Sequence, residues 1–116
     1  MIEIDLHGYY PRTVQDSDLI AKLVEQAWQA GAAEVRFIHG HGRSRGNPRP
    51  FANTNTGLLG LTVRSRLRNG ADLRRWIYTR IDVSHRGSTV VRLRPNPSPT
   101  RKEIDRNVFP DLDFWE

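Results

Sequence analysis

The sequence predicts a single α/β domain running strand, helix, strand, helix, strand, strand, with two layers and a mixed four-stranded sheet. Three observations lead there. Residues 2–7 alternate, placing Ile2, Ile4 and Leu6 on one face of a strand and Glu3, Asp5 and His7 on the other. A helical stripe of Ile20, Leu23, Val24, Ala27 and Trp28 separates that segment from a second apolar run, Glu34 to His39, as a crossover between parallel strands requires. A short turn, Ser84-His85-Arg86-Gly87, then joins two further alternating runs as an antiparallel hairpin. The domain is expected over residues 1–95, with residues 96–116 as a C-terminal tail.

Each element has its own signal. After Gly8, Tyr9 to Arg12 reads as a loop, and Thr13 with Asp16 has the form of a capping box opening the first helix. Gly31 stands where a C-terminal cap belongs, and Trp28 falls in the buried stripe or at its rim. Tyr9 and Tyr10 suit either a packed loop or stacking on an unpaired base. Residues 44–57 carry Pro48, Pro50 and Asn53-Thr54-Asn55-Thr56 with no periodicity, and read as a long loop insertion. The second helix is expected within Leu59 to Asn69, with Leu59, Val63 and Leu67 inward and Gly70 as cap. Arg64 and Arg68 lie one turn apart, so they are the pair able to face one groove together. Trp76 to Asp82 alternates as a third strand, whose Trp76, Tyr78 and Arg80 are an aromatic and basic platform if open and core if covered. Ser88 to Arg94 is the last strand, and Pro95, Pro97 and Pro99 end regular structure. Val108, Phe109, Leu112, Phe114 and Trp115 equip the tail to dock on the body, bind a partner or shield a basic face, with docking expected.

Charge narrows the function. Residues 1–35 hold two basic and six acidic side chains, whereas residues 36–94 hold thirteen arginines against Asp72 and Asp82. Such a block points to a polyanionic partner, because the planar guanidinium fork matches phosphate oxygens and stacks on bases. Absence of cysteine excludes disulfides and thiolate metal sites. No stretch is long and apolar enough for a membrane span, and the opening strand is unlike a secretory signal, so a cytoplasmic location is expected.

Chemistry concentrates in two short motifs, Asp5-Leu6-His7-Gly8 and His39-Gly40-His41-Gly42, each at the end of an expected parallel strand. Their loops should be neighbours. The pair, its order and the intervening helix resemble the small MutS-related (Smr) domain family over roughly Ile2 to Arg94. That resemblance implies a fold like the C-terminal domain of translation initiation factor three. It also implies association with endonuclease action on RNA or nicking of DNA. The chain departs from the family at the last turn, where only Gly87 and Thr89 match a glycine-rich Ala-Thr run.

Roles can be assigned on chemical grounds. His7 is the candidate general base, Asp5 the carboxylate that orients it, and His39 the candidate acid or phosphate contact. Gly40 and Gly42 can offer backbone N–H groups to a phosphate, and His41, Arg43, Arg45, Arg64, Arg68, His85 and Arg86 are candidate nucleic-acid contacts. A metal site made from Asp5, His7, His39 and His41 is a weaker alternative. No cofactor is required, and a divalent cation such as Mg²⁺ held through substrate phosphates is compatible. Partners are therefore RNA or DNA, with the ribosome as one carrier of RNA. A non-catalytic nucleic-acid or ribosome-binding adaptor is the alternative to an endonuclease.

Overall fold

A computed structural model describes residues 1–40 and 57–111. It is a mixed α/β fold with a three-stranded sheet and three helices. β1 (Ile2–Asp5) pairs in parallel with β2 (Glu34–Ile38), which pairs antiparallel with β3 (Ser88–Arg92), so β2 is central. Alternation sorts the faces as expected. Ile4, Val35, Phe37, Thr89, Val91 and the following Leu93 are buried on the inner face, while Glu3, Asp5 and Arg92 are exposed on the outer one.

Between β1 and β2 the chain forms α1 (Pro11–Asp16) and α2 (Leu19–Gln29) rather than one helix. Pro11 at the first position, with its φ already helical, starts α1 two residues before the expected Thr13. Thr13 accordingly lies inside α1, and its carbonyl accepts from the Ser17 hydroxyl at 2.8 Å. Such back-bonding competes with helix propagation, and Asp18 then adopts a left-handed conformation at φ 51°. Leu19, Ile20, Leu23, Val24 and Ala27 give α2 its buried stripe. α2 ends as expected at Gly31, whose φ of 77° favours glycine; a side chain there would also strike Pro99.

α3 (Leu58–Asn69) buries Leu59, Val63 and Leu67 and stops at Gly70, as the spacing predicts. Its Arg66 donates two hydrogen bonds of 2.9 Å to Asp72, in the 3₁₀ turn Ala71–Arg75, and reaches Asp18 at 3.1 Å. That guanidinium ties α3 to the break between α1 and α2, and hydrogen bonding to it lowers the Asp72 carboxyl from its ordinary 3.8. Arg66→Ala is expected to cost about 1 kcal/mol in urea unfolding, the upper range for exposed ion pairs. Asp72 contributes its share only while ionised. Stability should therefore fall as pH drops from 3.8 through the lowered value, and this acid step should shrink in Arg66→Ala.

Residues 76–82 do not form the expected fourth strand. Ile77 bridges Leu93 and Asp82 bridges Val90, both antiparallel, so the segment advances five positions where β3 advances three. Tyr78 still pairs, its N–H donating to the Arg92 carbonyl at 3.0 Å, and the two surplus residues bulge between it and Asp82. Alternation was present in the sequence, but not the register.

The tail packs against the body through its described part. The Asn96 side-chain amide donates to the Trp28 carbonyl at 2.8 Å, the Thr100 N–H to Gln29 at 2.8 Å, and the Asp105 N–H to the Gln26 side chain at 2.7 Å. Ile104, Val108 and Phe109 cover the edge of the core, and Trp28 is half-buried. No helix among the described residues is long and apolar enough to cross a membrane.

Candidate nucleic-acid cleavage site

β1 and β2 run in register to Asp5 opposite Ile38, and the Leu6 N–H extends the pairing by donating to the Ile38 carbonyl at 2.7 Å. Both histidine motifs thus leave the sheet at the same edge. The turn after β1 is held by Asp5, whose carboxylate accepts the His7 backbone N–H at 2.9 Å and lies 3.3 Å from His7 Nδ1. Both side chains are open to solvent, 60% exposed for Asp5 and 71% for His7. With Nδ1–H directed at the carboxylate, Nε2 carries the free lone pair.

The second loop begins against the first. Gly40, at φ 75°, brings its backbone so close to the imidazole-bearing turn that an added Cβ would lie 4.0 Å from His7 Cβ. The His39 and Gly40 N–H groups both donate to the Gly87 carbonyl at 3.0 Å, which fastens this loop to the turn before β3. Gly40's N–H is therefore engaged within the protein rather than aimed outward.

His39 differs from His7 in kind. It is 3% exposed on the inner face of the sheet, with Nδ1 3.0 Å from the Gly40 carbonyl and Nε2 2.9 Å from Thr89 Oγ1. Arg64 Nε donates to the same Thr89 oxygen at 2.8 Å, and its Nη2 donates to the His85 and Ser88 carbonyls at 2.9 and 3.1 Å. A carbonyl only accepts and a guanidinium only donates, so with a neutral imidazole one arrangement satisfies these contacts. Arg64 gives to Thr89, Thr89 gives to His39 Nε2, and His39 Nδ1–H gives to Gly40. Burial first, and Arg68 second, lower the Arg64 pKa, yet it stays cationic at neutral pH.

This network redistributes the expected contacts. Arg64 spends Nε and Nη2 inside the protein, so it does not pair with Arg68, which is exposed on α3. His85 and Arg86 are exposed on the turn beside Gly87. His41, Gly42, Arg43, Arg45 and the insertion up to residue 56 lie outside the described residues. Tyr9 is buried and its hydroxyl donates to the Pro110 carbonyl at 2.6 Å, which makes it a packed residue rather than a stacking surface. Thr89 is the link between His39 and Arg64 that alternation alone concealed, since it reads as one more inward strand position. Its match to the Ala-Thr run of the resembled family was the available signal.

Among the described residues no three His, Asp or Glu side chains converge to hold a metal. A cavity of about 220 Å³ lies between the helices, lined by Val14, Ile20, Thr62 and Arg66 among others, on the layer opposite His7. Comparison with curated proteins and with solved structures gives no match. A family model does match: that of the Smr domain covers residues 4–94, both histidine motifs and the Gly87-to-Thr89 turn included, and the chain belongs to the Smr domain family.

Proposed function

We propose that the chain is a nucleic-acid endonuclease that cleaves RNA or nicks DNA at the edge where β1 and β2 end. The observation carrying this reading is the exposed Asp5–His7 pair, an imidazole oriented by a carboxylate with its second nitrogen open to solvent. A protein that only binds phosphates has no need of that pair, because arginines alone neutralise charge. On RNA, His7 Nε2 accepts the proton of a 2′-hydroxyl as its oxygen attacks the adjacent phosphorus. The bond from phosphorus to the 5′-oxygen breaks, solvent protonates that leaving oxygen, and a 2′,3′-cyclic phosphate remains. On DNA, which lacks the 2′-hydroxyl, His7 would instead deprotonate a water.

His39 is assigned a positioning role in place of acid catalysis. Buried and bonded at both nitrogens, it sets the path of the Gly40 loop against His7. His85, Arg68, Arg86 and the residues of the His41-to-Arg45 segment are the proposed phosphate contacts. A two-layer arrangement like the C-terminal domain of translation initiation factor three belongs to the same proposal.

The test is a cleavage time course on single-stranded RNA and on supercoiled DNA, with and without EDTA. RNA products ending in 2′,3′-cyclic phosphate and insensitive to EDTA are the expected result. Products ending in 3′-hydroxyl that vanish with EDTA would overturn the His7 route in favour of metal-activated water. A second reading, a non-catalytic adaptor on RNA or ribosomes, draws on the burial of His39, which leaves one exposed imidazole of the two motif histidines that the structure describes. Salt-sensitive binding with no cleavage of either substrate would select it.

A further inference from the structure

The outer face of the sheet carries chemistry at two ends. At one, Asp5 and His7 leave β1. At the other, beyond β3, Tyr78 stands among arginines: the guanidinium carbons of Arg92 and Arg94 lie 5.7 and 4.7 Å from the centre of its ring. Face assignment follows from the pairing. Ile77 and Leu93 bridge each other and are both buried toward the helices, so Tyr78 and Arg92, one step along each segment, fall on the opposite side. That is the side of Asp5 and His7.

Tyr78 is 37% exposed, and Arg75 lies 4.8 Å over the half-buried ring of Trp76 nearby. Among the described residues Arg75, Arg80, Arg92 and Arg94 form no ion pair with a carboxylate. Acids near this surface are turned to other work. Asp82 accepts the Ser84 N–H at 2.9 Å, Asp72 is held by Arg66, and Glu3 lies 3.6 Å from Arg36 on the β1 side. The ring is thus partly open and bordered by guanidiniums that pair with no carboxylate among the described residues, although Arg94 Nε also donates to the Arg74 carbonyl at 2.6 Å. The arrangement matches what an unpaired nucleotide offers, a flat base and a flanking phosphate.

We infer that Tyr78 is a stacking platform for one unpaired base, with Arg92, Arg94, Arg75 and Arg80 as the phosphate contacts around it, so that the substrate is a single strand drawn across the outer face toward His7. The inference rests on the nucleic-acid reading above and specifies its substrate class. A duplex presents no free base face, whereas sheets bearing exposed aromatics bind single strands by stacking. β3 runs from Ser88, next to the Gly40 loop, to Arg92, about 13 Å at the usual strand rise. A single strand extended over a few nucleotides spans that length. The ladder itself holds Tyr78 at the sheet edge, its N–H donating to the Arg92 carbonyl at 3.0 Å, and the chain bulges only after it.

Fluorescence anisotropy with labelled 12-nucleotide single strands of RNA and DNA, and with a blunt DNA duplex, tests this at times short against cleavage. Tyr78→Ala should weaken single-strand binding roughly tenfold or more, the range found for losing one base-stacking contact. Tyr78→Phe, which keeps the ring, should bind as wild type, and duplex binding should not respond to either change. Arg92→Gln should flatten the salt dependence of single-strand binding by about 0.7 in log–log slope, one phosphate contact. A loss confined to RNA or to DNA would assign the platform to that strand. If Tyr78→Ala binds single strands as wild type does, or Tyr78→Phe is as weak as Tyr78→Ala, the platform is refuted while the endonuclease stands on its cleavage data. If wild type binds none of the three probes, platform and nucleic-acid function fall together.

Discussion

His7→Ala should slow cleavage by about 10²- to 10⁴-fold, the usual contribution of a positioned general base, while nucleic-acid affinity stays at the wild-type level. The separation follows from where the side chain sits. His7 is 71% exposed and packs against nothing that its loss would collapse, and the turn it occupies is held by its backbone N–H, which the alanine variant retains. The effect should therefore appear in kcat with KM nearly unchanged, the signature of an interaction made in the transition state. Asp5→Asn makes the complementary measurement. Its amide oxygen can still accept the His7 N–H, so the turn survives, but a neutral amide cannot stabilise the imidazolium that forms as the proton is taken. A partial loss of kcat, smaller than for His7→Ala, is expected. Cleavage at the wild-type rate by His7→Ala would remove the base from the proposed mechanism.

The strand and helix positions that carry this site were legible in the sequence because they depend on local periodicity. Two parallel strands ending in histidine motifs follow from alternation, from a stripe long enough for a crossover and from handedness, and the structure brings His7 and Gly40 together as that reading requires. What was not legible depends on register and on burial. Alternation over Trp76 to Asp82 is as regular as in a true strand, yet pairing with β3 slips by two residues between Tyr78 and Asp82 and leaves isolated bridges in place of a strand. The break at Ser17 and Asp18 was hidden for a similar reason: a helical stripe says nothing about a hydroxyl that bonds back to Thr13. His39 was the harder case. His7 and His39 end equivalent strands in similar motifs, but His7 is on the outer set of its strand and His39 on the inner set of the next. Parity counted from Val35 and Phe37 places His39 inside, and that count was available from the sequence alone.

That parity leads to the second large effect. His39→Ala is expected to destabilise the fold by about 2–4 kcal/mol, since it opens a cavity and strips partners from buried polar groups at once. Thr89→Val should cost about 1–3 kcal/mol, because the isosteric valine removes the hydroxyl that bonds both His39 Nε2 and Arg64 Nε. Chemical denaturation of both single variants and the double variant closes a cycle. Because Thr89 is the middle member of one hydrogen-bonded chain, the two changes should be non-additive by about 0.5–3 kcal/mol. Cleavage supplies the discriminating readout. A His39 that touched substrate would lose activity on its own, with Thr89→Val nearly silent and the denaturation cycle additive. A His39 that positions the Gly40 loop shares its loss with Thr89, which touches His39 but lies on a different strand. Matched losses of kcat in the two variants, with coupling in the denaturation cycle, would place the chemistry on His7 and the alignment of its loop on the Arg64–Thr89–His39 chain.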